Sequence, residues 1–98
     1  MALVKRGSVE RRLIDGSRRL AEFREEMRIG EEQLLQLAAE ADDARIRALV
    51  SETPVAGREH RDAERHAEAM SAHLDGVRAS VERLEQEQDR LLDELSGD

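Results

Sequence analysis

The chain has 98 residues, 40% of them charged and 1% aromatic, with a net charge of −7 at neutral pH. A walled catalytic pocket draws on apolar and aromatic lining, and a chain whose single aromatic is Phe23 has little to build one from. The absence of cysteine excludes disulfides and thiolate metal sites, and the abundance of Ala, Leu, Glu and Arg beside one proline marks one small all-α domain of long helices.

At the N-terminus, residues 1–19 hold Lys5, Arg6, Arg11, Arg12, Arg18 and Arg19 against Glu10 and Asp15, a net of +4 that leaves −11 on the remainder. This stretch lacks the apolar core of a secretory signal, and no run approaches the roughly 18 apolar residues of a membrane span, so the cytoplasm is the expected compartment. Fifteen arginines against one lysine fit the codon usage of a GC-rich, bacterial genome. Residues 1–15 read as a basic arm whose arginines are expected first to be neutralised by the acidic segment of Glu85, Glu87, Asp89, Asp93 and Glu94. In the second reading the arm binds a partner protein, with Leu3, Val4, Arg11, Arg12, Leu13 and Ile14 as candidate contacts. Asp15-Gly16-Ser17 is turn-like, so the first helix either continues through it or hinges at Gly16. The acidic body argues against general nucleic-acid binding, and nucleic acid or a membrane surface is the lesser expectation even for the arm.

Helix 1, over about 16–51, carries an unbroken heptad seam that starts upstream in the arm: Val9, Leu13, Gly16, Leu20, Phe23, Met27, Gly30, Leu34, Leu37, Ala41, Ala44 and Ala48. A turn follows at about 52–57, inside Ser51-Glu52-Thr53-Pro54-Val55-Ala56-Gly57, where Thr53 can cap a second helix with Pro54 at its first position. Helix 2, over about 58–95, repeats the step with Ala63, Ala67, Met70, Leu74, Val77, Val81, Leu84, Gln88, Leu91 and Leu95, and Gly97 is a plausible stop.

Folding the chain at the turn gives an antiparallel two-helix coiled-coil hairpin. Pairing residues whose numbers add to 111 sets every seam residue of helix 2 against one of helix 1, with Ala48 on Ala63, Gly30 on Val81, Gly16 on Leu95 and the polar Gln88 on Phe23. In that register Val9 and Leu13 overhang without a mate. The flanking charges favour it: Arg19 meets Glu94, Arg24 meets Glu85, Glu31 meets Arg78, Arg45 meets Glu64 and Arg47 meets Glu59, with Glu26 beside Glu87 the one clear mismatch.

Ile14, Ile29, Leu35, Ile46, Leu49, Val50 and Leu92 lie off the seam. A two-helix hairpin is thin for its length, so Ile29, Leu35, Ile46, Leu49 and Val50 are candidates for self-association, most simply two hairpins in a four-helix bundle.

The polar residues offer little chemistry. His66 and His73 share a face but read as flanking residues, His60 points to a different side at the tip, and no helical metal-binding motif is present, so no metal and no cofactor are expected. Ser51 and Thr53 lack a base and an oxyanion pocket and fit capping roles better than nucleophilic ones. No strand precedes any glycine to form a phosphate loop. The expectation is a non-enzymatic coiled-coil adaptor or scaffold, without a small-molecule substrate, whose partners are itself and another protein. The alternative is a hairpin probe acting on a large machine such as RNA polymerase or the ribosome. Several regulators of those machines resemble such a hairpin in architecture, but Glu52 and Glu59, set apart by a proline-containing turn, depart from the acidic tip pair of transcript-cleavage factors.

Overall fold

The structure, a computed structural model, describes residues 2–97, with side chains from Arg6 onward. It is a helical hairpin: α1 spans Ala2–Ser51, α2 spans Pro54–Ser96, and the two pack against each other with no strand among the described residues. α1 runs unbroken through Asp15-Gly16-Ser17, so the hinge alternative is not realised. The side chains of Leu3 and Val4 lie outside those described.

The turn is shorter than expected, at two residues. Glu52 N donates to Ala48 O at 3.1 Å, and Glu52 then takes a left-handed conformation, with φ 53°. Glycine usually fills this position after a helix, and an L side chain there costs about 1 kcal/mol. Thr53 Oγ1 accepts from Ala56 N at 3.2 Å, and Pro54, which has no N–H to leave unpaired, opens α2. The cap therefore starts α2 at residue 54, not near 58. At the other end α2 stops at Ser96, and Gly97 N donates to Asp93 O at 2.6 Å.

Every residue of the two expected seams with a described side chain is buried or half-buried, and the seam of α2 extends back through His60 to Ala56. The chain divides into two compact units, Met27–Gly76 and Met1–Glu26 with Val77–Asp98. Within Met27–Gly76, Gly30 lies on the buried Leu74, so closely that a methyl group at position 30 would overlap Leu74 Cδ2. The expected mate was Val81. Partner numbers therefore add to 104, one heptad less than expected, and the register puts Leu34 with Met70, Ala41 with Ala63, Ala44 with His60 and Ala48 with Ala56. His60, expected to point to a different side, is a half-buried seam residue.

The unit of 1–26 with 77–98 shows the same correction. Gly16 meets Gln88, not Leu95: a methyl group on Gly16 would stand 2.6 Å from Gln88 Oε1. Gln88 consequently does not oppose Phe23, whose mate by this register is Val81. Val9 and Leu13 now fall level with Leu95 and Leu91, and no longer overhang; Val9 is only 4% exposed and Leu13 is half-buried. The reason is the short turn. Closing the hairpin at Glu52-Thr53 draws α2 along α1 by one heptad in the sum, which keeps every seam residue inside while changing its mate.

Candidate functional site

Two kinds of surface carry the candidate residues, one in each unit. In Met27–Gly76, all five self-association candidates are exposed: Ile29, Leu35, Ile46, Leu49 and Val50, with Leu35 at 75% and Val50 at 81%. Leu35 and Leu49 are fourteen residues apart and so share one face of α1, while Ile46, Leu49 and Val50 stand at i, i+3, i+4 and form one patch. Val55, 54% exposed, joins this set. Sequence reasoning missed it because residues 52–57 read as turn, whereas Val55 belongs to the first turn of α2.

In the other unit, Ile14 and Leu92 are exposed. Of the arm residues, Arg11 and Ile14 face solvent, whereas Arg12 reaches across the hairpin. Its Nη2 donates to Glu87 Oε1 at 2.5 Å, and Arg90 Nη2 donates to Glu87 Oε2 at 2.5 Å. Sequence reasoning set Glu87 against Glu26; the shift in register gives it Arg12. The hydrogen bond from Arg90, together with the nearby charges of Arg90 and Arg12, holds the Glu87 carboxyl below its ordinary value against a smaller opposing effect of desolvation. Arg24 Nη2 donates to Glu85 Oε2 at 3.1 Å, a cross-helix pair of the expected set that the new register keeps. Glu64, expected opposite Arg45, lies 2.8 Å from His60 Nε2 on its own helix.

The same unit is scored by two adjoining grooves beside the seam. One, of about 190 Å³, is lined by Arg12, Asp15, Gly16, Arg19, Leu84, Glu87 and Leu91; the next, of about 280 Å³, involves Arg19, Phe23, Ser80, Arg83, Leu84, Glu87 and Arg90. Arg83 Nη2 donates to Ser80 Oγ at 3.1 Å, and Arg19 has no hydrogen bond or ion pair among the described residues. Arg19 thus lines both grooves, where Glu94 was its expected partner. Gln88, half-buried, closes the seam here. Its Nε2 donates to Leu13 O at 3.1 Å, and its Oε1 is buried with no hydrogen-bond partner. Turning the amide round would set oxygen against carbonyl oxygen, so the orphan atom is the better arrangement.

The hydroxyls cap: Ser51 Oγ donates to Arg47 O at 2.7 Å, and Thr53 Oγ1 serves the start of α2. His66 and His73 are exposed. Among the described residues no group of three or more His, Asp and Glu side chains could hold a metal ion, and no helix is long and apolar enough to cross a membrane.

No protein-family model, no curated protein and no solved structure matches the chain.

Proposed function

We propose that this chain is a non-enzymatic coiled-coil adaptor of the cytoplasm, which works through helix–helix contacts and associates with a second copy of itself. The observation that carries the reading is the exposed aliphatic set of Met27–Gly76: six large apolar side chains, five of them on α1 at Ile29, Leu35, Ile46, Leu49 and Val50. Isolated exposed aliphatics are ordinary, but a patch at helical spacing is the usual mark of a protein-binding face. Pairing two hairpins along this face makes a four-helix bundle, each buried side chain contributing roughly 1.5–3 kcal/mol.

Replacing Leu35 and Leu49 together by Glu leaves the seam intact and charges the patch. In sedimentation the wild type is expected at twice the single-chain mass or more and the double variant at the single-chain mass. A wild type that is monomeric at micromolar concentration ends the self-association reading.

One observation favours the probe alternative. The tip carries Val50 and Val55 exposed on either side of Glu52, a small apolar knob at the end of the hairpin. Recovery of RNA polymerase or ribosomal subunits with the wild type, lost on changing Val50 and Val55 to Ser, would move the reading there.

A further inference from the structure

The arginines beside the seam form a pattern that self-association does not use. Arg12 and Arg19 are seven residues apart on α1, and Arg83 and Arg90 are seven apart on α2. All four line the paired grooves of one unit. Seven residues rise about 10 Å along a helix, so each wall presents guanidinium groups at a heptad interval. Between the walls lie the half-buried Phe23 and Leu84, above the buried Leu91 and Gly16.

The charge of the grooves runs against that of the chain. Four arginines face two carboxylates, Asp15 and Glu87, in a molecule of net charge −7. Glu87 is already held between Arg12 and Arg90. Arg83 is bonded to a hydroxyl, and Arg19 has no partner among the described residues. Two guanidinium groups therefore flank the half-buried Phe23 and Leu84 with no carboxylate of their own.

We infer that these paired grooves are the docking site for an acidic amphipathic helix of a partner protein, which would lie along the seam as a third helix. Its apolar stripe would cover the half-buried Phe23 and Leu84, and glutamates or aspartates on the two flanks of that stripe would meet Arg19 on one wall and Arg83 on the other. Charge complementarity selects an acidic partner, and the run of the paired grooves along α1 from Arg12 to Phe23 selects a helix over a small anion. Guanidinium suits the role because its planar fork takes a carboxylate in two parallel hydrogen bonds. The inference rests on the adaptor reading and names the chemistry of its partner, at a surface separate from the aliphatic patch.

The test is fluorescence anisotropy with the full chain and two labelled helical peptides of leucine heptads, one flanked by glutamate and one by lysine, at about 0.15 M salt. The glutamate peptide is expected to bind and the lysine peptide not. Arg19→Glu with Arg83→Glu should weaken binding at least about tenfold, and Arg19→Gln with Arg83→Gln by less, while helicity by circular dichroism stays at the wild-type level. Arg58→Glu, which removes an exposed arginine from the other unit, should leave binding unchanged.

The inference is overturned if both peptides bind alike or neither binds, or if Arg58→Glu weakens binding as much as the groove variants. It is equally overturned if pyrophosphate displaces the peptide at equal concentration, which would make this a small-anion site. A change in the sedimentation of the chain alone in the groove variants would make the occupant a second copy, and the inference fails there too. The Leu35→Glu, Leu49→Glu variant keeps the two readings apart. If it is monomeric yet still binds the glutamate peptide, the groove stands by itself, and if the wild type is monomeric and binds, only self-association is lost.

Discussion

Residues 27–76 fill their seam mostly with small side chains: Ala41, Ala44, Ala48, Ala56, Ala63 and Ala67, with Gly30 against Leu74. The unit of 1–26 with 77–98 fills its seam with Val9, Leu13, Leu20, Phe23, Val77, Val81, Leu84 and Leu91. Each methylene withdrawn from water contributes about 0.8 kcal/mol, so an alanine layer stabilises far less than a leucine layer, although it lets two helices approach closely. The outer surfaces run the other way. Ile29, Leu35, Ile46, Leu49, Val50 and Val55 are exposed in the alanine-seamed unit, against Ile14 and Leu92 in the other. Where internal burial is thin the outer face is apolar, and where the core is well filled the outer face is polar and rich in arginine. The two units thus divide their apolar side chains differently between seam and outer face.

The largest expected effect lies in the tight seam. Gly30→Ala gains up to about 1 kcal/mol of helix propensity but forces a methyl group into Leu74, which is 2% exposed and must shift within the seam to admit it. Overpacking of this kind costs about 1–3 kcal/mol. A net loss is expected, read as a lower urea midpoint; a midpoint at or above that of the wild type would show that Met27–Gly76 is not closely packed.

The second effect lies in the other unit. Gln88→Leu removes the buried orphan oxygen, and the hydrogen bond it gives up is only a second one to the Leu13 carbonyl, which sits inside α1. A rise in stability of about 1 kcal/mol is expected, seen as a higher melting temperature. A fall would mean that the Gln88–Leu13 bond outweighs the orphan and holds the register. The smallest effect is the control for the first. Gly76→Ala meets nothing within 4 Å, so propensity alone should act and stabilise by about 0.5–1 kcal/mol. If Gly30→Ala and Gly76→Ala change the midpoint alike, the close approach at Gly30 has no energetic weight.

The seam, the hairpin and the outward-facing aliphatics were all legible in the sequence, because a step of 3.5 residues names the buried side of each helix directly. The register was not. Shifting the sum of paired positions by seven returns every seam residue to a seam position, so periodicity cannot distinguish 111 from 104. Arg24 with Glu85 did not resolve it, since long flanking side chains reach partners in either alignment. Two signals were present: the cap chemistry at Thr53-Pro54, which starts α2 early enough for Ala56 and His60 to join the seam, and the mates that the shorter turn gives Val9 and Leu13. The arginine-lined grooves were hidden for the same reason, since their walls come together only in the observed register. Arg19 looked neutralised while it was assigned to Glu94.

The two-residue turn also has a consequence for how the chain folds. The Glu52-Thr53 connection closes the shortest loop in the molecule, and loop closure is cheapest where the chain between contacts is shortest. The contacts that follow first are Ala48 on Ala56, Ala44 on His60 and Ala41 on Ala63, which repay little of that entropy. Folding is therefore expected to cross its barrier only once Leu34, Met70 and Leu74 have engaged, with the turn already formed at the summit. Relaxing the left-handed strain by Glu52→Gly should then speed refolding in proportion to the stability it adds and leave the unfolding rate nearly unchanged. If the gain appears in the unfolding rate instead, the turn closes after the barrier, and the hairpin is nucleated away from its tip.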